Sequence, residues 1–184
     1  MTMKNTINTY GSVSKFFHWT IFILVLGMLS FGFFLDDVPK PYQGMTYNIH
    51  KLTGLTILTL MAFRLFWRSI NAKPGLPYDT PYWQIIAERT VHFLLYLSLF
   101  VMPLAGWVGS AASGHPPHLG DWVLNLPINH PNKPLAEAAF TVHNWTAYIL
   151  IGLITIHVLA ALYHFFIKKD DILSRMLPHR RHAA

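Results

Sequence analysis

Two histidines, His143 and His157, lie fourteen residues apart in an apolar run without charged residues, 138–167. A helix rotates about 100° and rises about 1.5 Å per residue, so fourteen residues return it to nearly the same face, about 21 Å further along. The hydrocarbon core of a bilayer is about 30 Å thick. If this run spans it, both imidazoles face one interior at two depths. Ionisable groups buried at such depths are costly and usually functional.

Composition favours a membrane protein throughout the chain. Hydrophobic residues make up 53% of it and charged residues only 12%, and the mean hydropathy is +0.35. A typical soluble domain has about twice that charged fraction. The pattern predicts an all-α fold, an integral membrane four-helix bundle in one domain covering 1–184, with four helices at roughly 14–35, 48–69, 84–112 and 136–168.

Basic residues predict the orientation of this bundle. Eleven of the fourteen lysines and arginines fall on the side that holds both termini and the connection between the second and third helices. By the positive-inside rule, both termini are expected in the cytoplasm. The net charge of +6 is then a consequence of topology, and no basic stripe outside these flanks predicts a nucleic-acid partner.

The chain contains no cysteine. This excludes disulfides, thiolate-bound iron–sulfur clusters and covalent haem attachment through a C-x-x-C-H motif. Any cofactor must therefore bind noncovalently, through nitrogen or oxygen atoms.

Two further histidines match the depths of the first two. His18 lies near the cytoplasmic start of the first helix, and His50 lies near the outer start of the second. His157 should therefore be level with His18, and His143 with His50. A flat macrocycle with one imidazole on each face is the arrangement of a bis-histidine haem b. The sequence thus predicts two noncovalent haem b groups, with these four histidines as axial iron ligands.

Arg64 follows His50 by fourteen residues and is expected on the same inward face, at the cytoplasmic haem. Haem propionates would supply its counter-charge through bidentate hydrogen bonds. The histidines have two other interpretations. Each could simply form a hydrogen bond between helices, or the set could line a path for metal ions. An ion carrier should also have carboxylates within the spans, and the four apolar centres contain none.

The remaining histidines stay ambiguous from the sequence. His92, one helical turn before Tyr96, and His164, two turns after His157, either contact a haem edge or quinone or are polar residues at the interface. The outer-loop histidines His115, His118 and His130 either bind metal or are solvated. His179 and His182 belong to a basic tail.

Several motifs resemble the bacterial cytochrome b561 family. They are His18-Trp19 at the first helix, His50 opening the second, Arg64-Leu65-Phe66-Trp67-Arg68 closing it, His92-x-x-x-Tyr96, the His143 and His157 pair, and 168–178 near the end. The resemblance covers nearly the whole chain. It implies a four-helix dihaem protein of the bacterial inner membrane that exchanges electrons with quinone, with the same four histidines as ligands. One branch of this size resembles superoxide oxidase, which passes electrons from periplasmic superoxide to ubiquinone.

The donor and the quinone site remain open from the sequence. Two histidines per iron leave no open position, so small molecules should react by outer-sphere electron transfer. Only Lys51, beside His50, is obviously placed to steer an anion such as superoxide. The alternative is a relay subunit that passes electrons between quinone and a separate dehydrogenase or hydrogenase. Quinone-site candidates are Trp19, His164 and Lys168 on the inner side, and Lys51 and Trp145 on the outer side.

Overall fold

The structure is a computed structural model that describes residues 2–78, 80–129 and 131–177. It has four long helices, α1 (Ser12–Gly32), α2 (Lys40–Ser69), α3 (Tyr82–Ala112) and α4 (Lys133–Tyr163). A π-helical turn (His164–Lys168) extends α4, and a short helix, α5 (Ile172–Met176), follows it. The spans contain 21, 30, 31 and 36 residues, counting the turn with α4. All reach the roughly twenty residues that a bilayer requires, which confirms the predicted four-helix membrane bundle.

The observed helices begin earlier than hydropathy indicates. Helix α2 starts at Lys40, eight residues before its predicted start, and its first turn contains Pro41, which is tolerated there because the first helical amides lack intrahelical partners. Its opening residues are mostly polar, so an apolar window misses them. Helix α4 starts at Lys133, where the Asn132 side chain caps it by accepting from the Leu135 amide at 3.2 Å.

Apolar side chains form the interior between the helices. Ile21, Val25 and Leu29 repeat every four residues on α1 and pack with Ile57 and Met61 of α2. These five side chains are at most 8% exposed. Ile57 and Met61 follow His50 by seven and eleven residues, so the face of α2 that carries His50 does point into the bundle.

Helices α3 and α4 approach each other closely, and two glycines of α3 allow it. A Cβ atom at Gly106 would lie 2.9 Å from Nδ1 of His143, and one at Gly109 would lie 2.9 Å from the Phe140 ring. Both separations are shorter than van der Waals contact. The side chains of α4 therefore lie directly against the backbone of α3.

We call the end of the bundle that holds α5 and the N-terminal segment the inner end, and the opposite end the outer end. At the inner end, the Trp19 indole N–H donates to the Met176 carbonyl at 2.9 Å, and Nζ of Lys15 donates to the Leu177 carbonyl at 2.8 Å. Both ends of the described chain are thus on one side, as the four-span topology requires.

At the outer end, the loop between α3 and α4 folds back over the bundle. It contains a small antiparallel hairpin of β1 (His118–Leu119) and β2 (Trp122–Val123), in which His118 pairs with Val123. Asn48 of α2 fixes the hairpin, because its side chain accepts from the His118 amide at 2.9 Å and donates to the His118 carbonyl at 2.8 Å. The loop therefore packs against α2 at Asn48, two residues before His50.

Candidate functional site

His50 and His143 face each other at the outer end. Their ring centroids are 6.2 Å apart, and the ring planes are inclined at 69°. A metal–imidazole nitrogen bond is about 2.0 Å and the ring centre lies roughly one ångström further, so two imidazoles on opposite sides of one metal have centroids about 6 Å apart. The observed separation matches that spacing. The two rings can therefore accommodate one metal atom of a planar cofactor.

The His143 ring is held by the backbone of α3. Its Nδ1 lies 2.8 Å from the Met102 carbonyl oxygen, and because a carbonyl only accepts, Nδ1 carries the proton. The lone pair of the neutral ring is then on Nε2, the usual arrangement of a metal-binding histidine whose other nitrogen is fixed by a backbone carbonyl. Gly106, one turn after Met102, leaves the space in which the ring lies.

His50 is less constrained than His143. Its Nδ1 is buried and has no hydrogen-bond partner among the described residues. A buried imidazole that lacks partners is costly unless a further group satisfies it. A Cβ atom at Gly32 would lie 3.6 Å from Cε1 of the His50 ring, an ordinary contact.

A cavity of about 1340 Å³ contains both outer histidines. Small-molecule and cofactor pockets are typically about 300–1,000 Å³, so the volume exceeds what one cofactor needs. Apolar side chains such as Val25, Leu29 and Ile57 line its depth, and Lys51, His115 and His118 line its outer part. Spacing, tautomer and volume all suit a haem between His50 and His143.

His18 and His157 form the equivalent pair at the inner end. Their ring centroids are also 6.2 Å apart, with planes inclined at 63°. The structure thus brings together the four histidines as the two pairs that the sequence predicts, one at each end of the bundle. Their ligation of haem iron remains a prediction.

Arg64 reaches the inner pair. Its Nη2 lies 3.0 Å from Nδ1 of His18, and its Cζ lies 5.5 Å from the centroid of the Tyr96 ring. Because a guanidinium only donates, Nδ1 of His18 accepts this bond and the ring proton is on Nε2. Ligation through Nε2 would move that proton to Nδ1 and turn Arg64 towards a different acceptor.

A third imidazole, that of His92, lies at the inner end. The sequence left the role of this residue ambiguous. The His92 ring of α3 is 5.2 Å from the His157 ring, centroid to centroid. Glu88, one turn before His92, has a carboxylate oxygen 2.6 Å from Nδ1 of His92. The i, i+4 spacing of Glu88 and His92 is visible in the sequence, but the depth of His92 relative to His157 depends on how α3 and α4 pack.

Lys51 is half-buried in the cavity wall and is not a free surface cation. Its Nζ donates to the His115 carbonyl at 2.7 Å, and the Ser110 hydroxyl donates to the same carbonyl oxygen. The residue therefore anchors the outer loop as well as carrying charge at the outer site. This anchoring role had no signal in the sequence.

The other histidines and the quinone-site candidates are dispersed. The described residues contain no cluster of three or more histidines or carboxylates that could hold a metal ion, including the region of His115 and His118. His130, His179 and His182 lie outside the described residues. At the inner end, Nδ1 of His164 lies 2.5 Å from an Asp170 carboxylate oxygen.

A membrane-spanning four-helix bundle with paired inward histidines at both ends defines a class of protein, the membrane-bound electron-transfer cytochromes of the b type. The sequence profile of the prokaryotic cytochrome b561 family matches residues 9–179. This chain belongs to that family, as the motifs around its histidines predict. It is accordingly a multi-pass protein of the bacterial inner membrane with a role in electron transfer, and the family implies binding of b-type haem.

The similarity to known proteins extends over almost the whole chain. Cytochrome b561 homolog 2 of Escherichia coli (strain K12) is 34% identical over 182 residues, covering 96% of this chain and 95% of that protein. Cytochrome b561 homolog 1 of the same organism is 29% identical, covering 95% of this chain and all of that protein. The probable superoxide oxidase CybB of Yersinia pestis is 28% identical, covering 94% and 97%.

Proposed function

We propose that this protein is a dihaem cytochrome that conducts electrons across the inner membrane, from superoxide on the outer side to ubiquinone. His50 and His143 hold the outer haem, and His18 and His157 hold the inner haem. The main support is the pair of imidazole separations, each 6.2 Å, at opposite ends of one apolar core. When bound, each haem would accept and donate single electrons.

The side chains around the outer pair have separate tasks. Met102 fixes the proton of His143 on Nδ1, so that Nε2 faces the ligand, and the buried apolar wall excludes water. Lys51 places a positive charge beside His50 and keeps the loop at His115 in position. A small anion that enters the outer part of the cavity is attracted by that charge.

The inner pair is arranged for a negatively charged cofactor edge. Arg64 is within hydrogen-bond distance of His18, so its guanidinium can pair with a haem propionate beside that histidine. This pairing would also release Nδ1 of His18, which can then carry the proton that ligation through Nε2 requires.

Two observations support superoxide as the donor. A relative that is 28% identical over 178 residues is a probable superoxide oxidase, and the polar part of the large cavity faces the outer end. For quinone, the inner candidates differ in what they can still bind. The indole N–H of Trp19 is used by Met176, whereas His164, whose Nδ1 donates to Asp170, keeps Nε2 as an acceptor for the hydroxyl group of the reduced quinone.

The first experiment is spectroscopic. A reduced-minus-oxidised spectrum and a pyridine haemochrome assay on purified protein should show two b-type haems per chain. Superoxide should then reduce these haems in stopped flow, and added ubiquinone should reoxidise them. A protein expressed with sufficient haem yet purified colourless would contradict the proposal.

The alternative, a relay subunit for a separate dehydrogenase or hydrogenase, predicts a different result. The protein would contain two haems, copurify with a stoichiometric partner at native expression levels, and react with superoxide no faster than a haem protein without an outer cavity. Activity of the isolated chain with superoxide and ubiquinone would favour the oxidase.

A further inference from the structure

Two arginines of α2 lie against one tyrosine ring at the inner end. Cζ of Arg64 is 5.5 Å and Cζ of Arg68 is 5.3 Å from the centroid of the Tyr96 ring. The two residues are one helical turn apart, and like charges at this spacing repel each other. The face of Tyr96 compensates each cation only in part. The arrangement therefore carries an excess of positive charge that needs an anion.

No carboxylate among the described residues forms an ion pair with either cation. Neither guanidinium is within 4.0 Å of an acidic oxygen in that part of the chain. Glu88, on the same stretch of α3, is close enough to Arg68 to compensate part of its charge, but its carboxylate is paired with His92. The position of Arg68 in the last turn of α2 suits the helix dipole, but this explains neither Arg64 nor their convergence on one ring.

The N-terminal segment contributes a neutral group to the same region. Burial raises the pKa of Tyr10, while Arg68 lowers it and Glu88 raises it, so that its hydroxyl remains protonated at neutral pH. Tyr10 thus adds no negative charge to the arginine cluster. It can, however, donate a hydrogen bond to an anion held there.

We propose that Arg64 and Arg68 form one binding site for a dicarboxylate, the two propionates of the inner haem. This inference rests on the proposed function, because that haem is the one between His18 and His157. The 3.0 Å contact of Arg64 with His18 puts the site beside the inner imidazoles. Each guanidinium can bind one carboxylate in bidentate geometry, so two arginines suit two propionates, and Arg68 becomes a residue that positions the cofactor.

A lipid phosphate of the inner leaflet has similar oxyanion chemistry and is the competing occupant. A phosphate head group would lie at the membrane surface, where Arg68 can also reach it. We favour the propionates because Arg64 and Arg68 share Tyr96, and because Arg64 also contacts His18 inside the bundle.

The test compares Arg68→Gln with Arg89→Gln. Arg89 is an exposed residue near the same end of α3, so its substitution removes the same charge away from the Tyr96 ring. Both proteins are purified with bound haem, and both haems are titrated potentiometrically in nanodiscs. We compare the variants at an applied potential equal to the wild-type midpoint potential of the haem. There, Arg68→Gln should raise the oxidised-to-reduced ratio of one haem about tenfold, because a charge-assisted hydrogen bond is lost. Arg89→Gln should change that ratio much less.

Further measurements separate the alternatives. Arg68→Lys keeps the charge but loses the bidentate geometry, and it should give an intermediate change. The change in the oxidised-to-reduced ratio caused by Arg68→Gln should also be the same in nanodiscs of phosphatidylcholine alone and in nanodiscs with added phosphatidylglycerol. If only the anionic lipid produces it, or if Arg68→Gln and Arg89→Gln behave alike, the propionate site is wrong. A wild-type protein without two haems would instead refute the proposed function itself.

Discussion

The outer and inner sites have the same imidazole spacing but different surroundings. At the outer site, His143 is fixed by a neutral backbone carbonyl, that of Met102, and a large cavity surrounds the pair. At the inner site, His18 contacts the charged Arg64, and a third imidazole, that of His92, lies beside His157. One fold thus places two equivalent pairs in electrostatically distinct environments.

If each pair holds a haem as proposed, these surroundings act on its midpoint potential. Cations close to a haem favour its reduced form, so Arg64 and Arg68 should raise the midpoint potential of the inner haem, whereas Glu88 should lower it and Lys51 should raise that of the outer haem. The proposed flow of electrons from the outer end to the inner end requires the effect of the two arginines to exceed those of Glu88 and Lys51. The following substitutions should therefore affect one site and spare the other.

The largest effect is expected for His143→Ala. Removing one axial ligand should abolish the outer haem, so a pyridine haemochrome assay should give one haem per chain in place of two. His118→Ala is the control, because this exposed loop histidine binds Asn48 only through its backbone. If His143→Ala retains both haems, the outer assignment is wrong.

Gly106→Ala should disturb the outer site through packing. The added Cβ would lie 2.9 Å from Nδ1 of His143, so the ring or α3 must shift at a cost of about 1–3 kcal/mol. We expect weaker retention of the outer haem during purification and a lower melting temperature. Gly152→Ala is the matched control, since a Cβ atom at Gly152 would have no described atom within 4 Å. Equal behaviour of the two variants would contradict the packing account.

Glu88→Gln should alter only the inner site, in the opposite sense to Arg68→Gln. Removing the carboxylate beside His92 takes away a negative charge that opposes reduction, so the midpoint of one haem should rise. The oxidised-to-reduced ratio of that haem should change severalfold or less, because Glu88 is 37% exposed and solvent screens its charge. Glu137→Gln at the outer end, where the side chain is 68% exposed, should leave this midpoint unchanged.

Lys51→Gln should have the smallest effect, on the rate of reaction with superoxide. Loss of one cation at the cavity should slow haem reduction about threefold at low salt, and the rate should depend less on ionic strength. Lys40→Gln removes an exposed charge at the same end and serves as the control. A wild-type rate that is insensitive to ionic strength would argue against steering by Lys51.

Helical periodicity was sufficient to predict the main features of this fold. The spacing of His50 and Arg64 placed both on one face, and Ile57 and Met61 between them are indeed buried. The fourteen-residue separation of His143 and His157 likewise predicted that their side chains lie at two depths in the bundle. These inferences depend only on the regular geometry of single helices.

Features that depend on how two helices pack were not predictable in this way. The bond from His143 to Met102 and the space at Gly106 arise from the approach of α4 to α3. The contact of His92 with His157 has the same origin. Lys51 illustrates a related limit, because its partner is a backbone carbonyl in an irregular loop.

The four histidines are proposed to act in two specific pairs, and double variants test this pairing most directly. Haem content should be one per chain in His50→Ala, in His143→Ala and in the double variant of both, because all three lack the same site. The double variant His50→Ala with His18→Ala should contain none. If the His50 and His143 double variant loses both haems, or if the His50 and His18 double variant keeps one, the pairing is wrong.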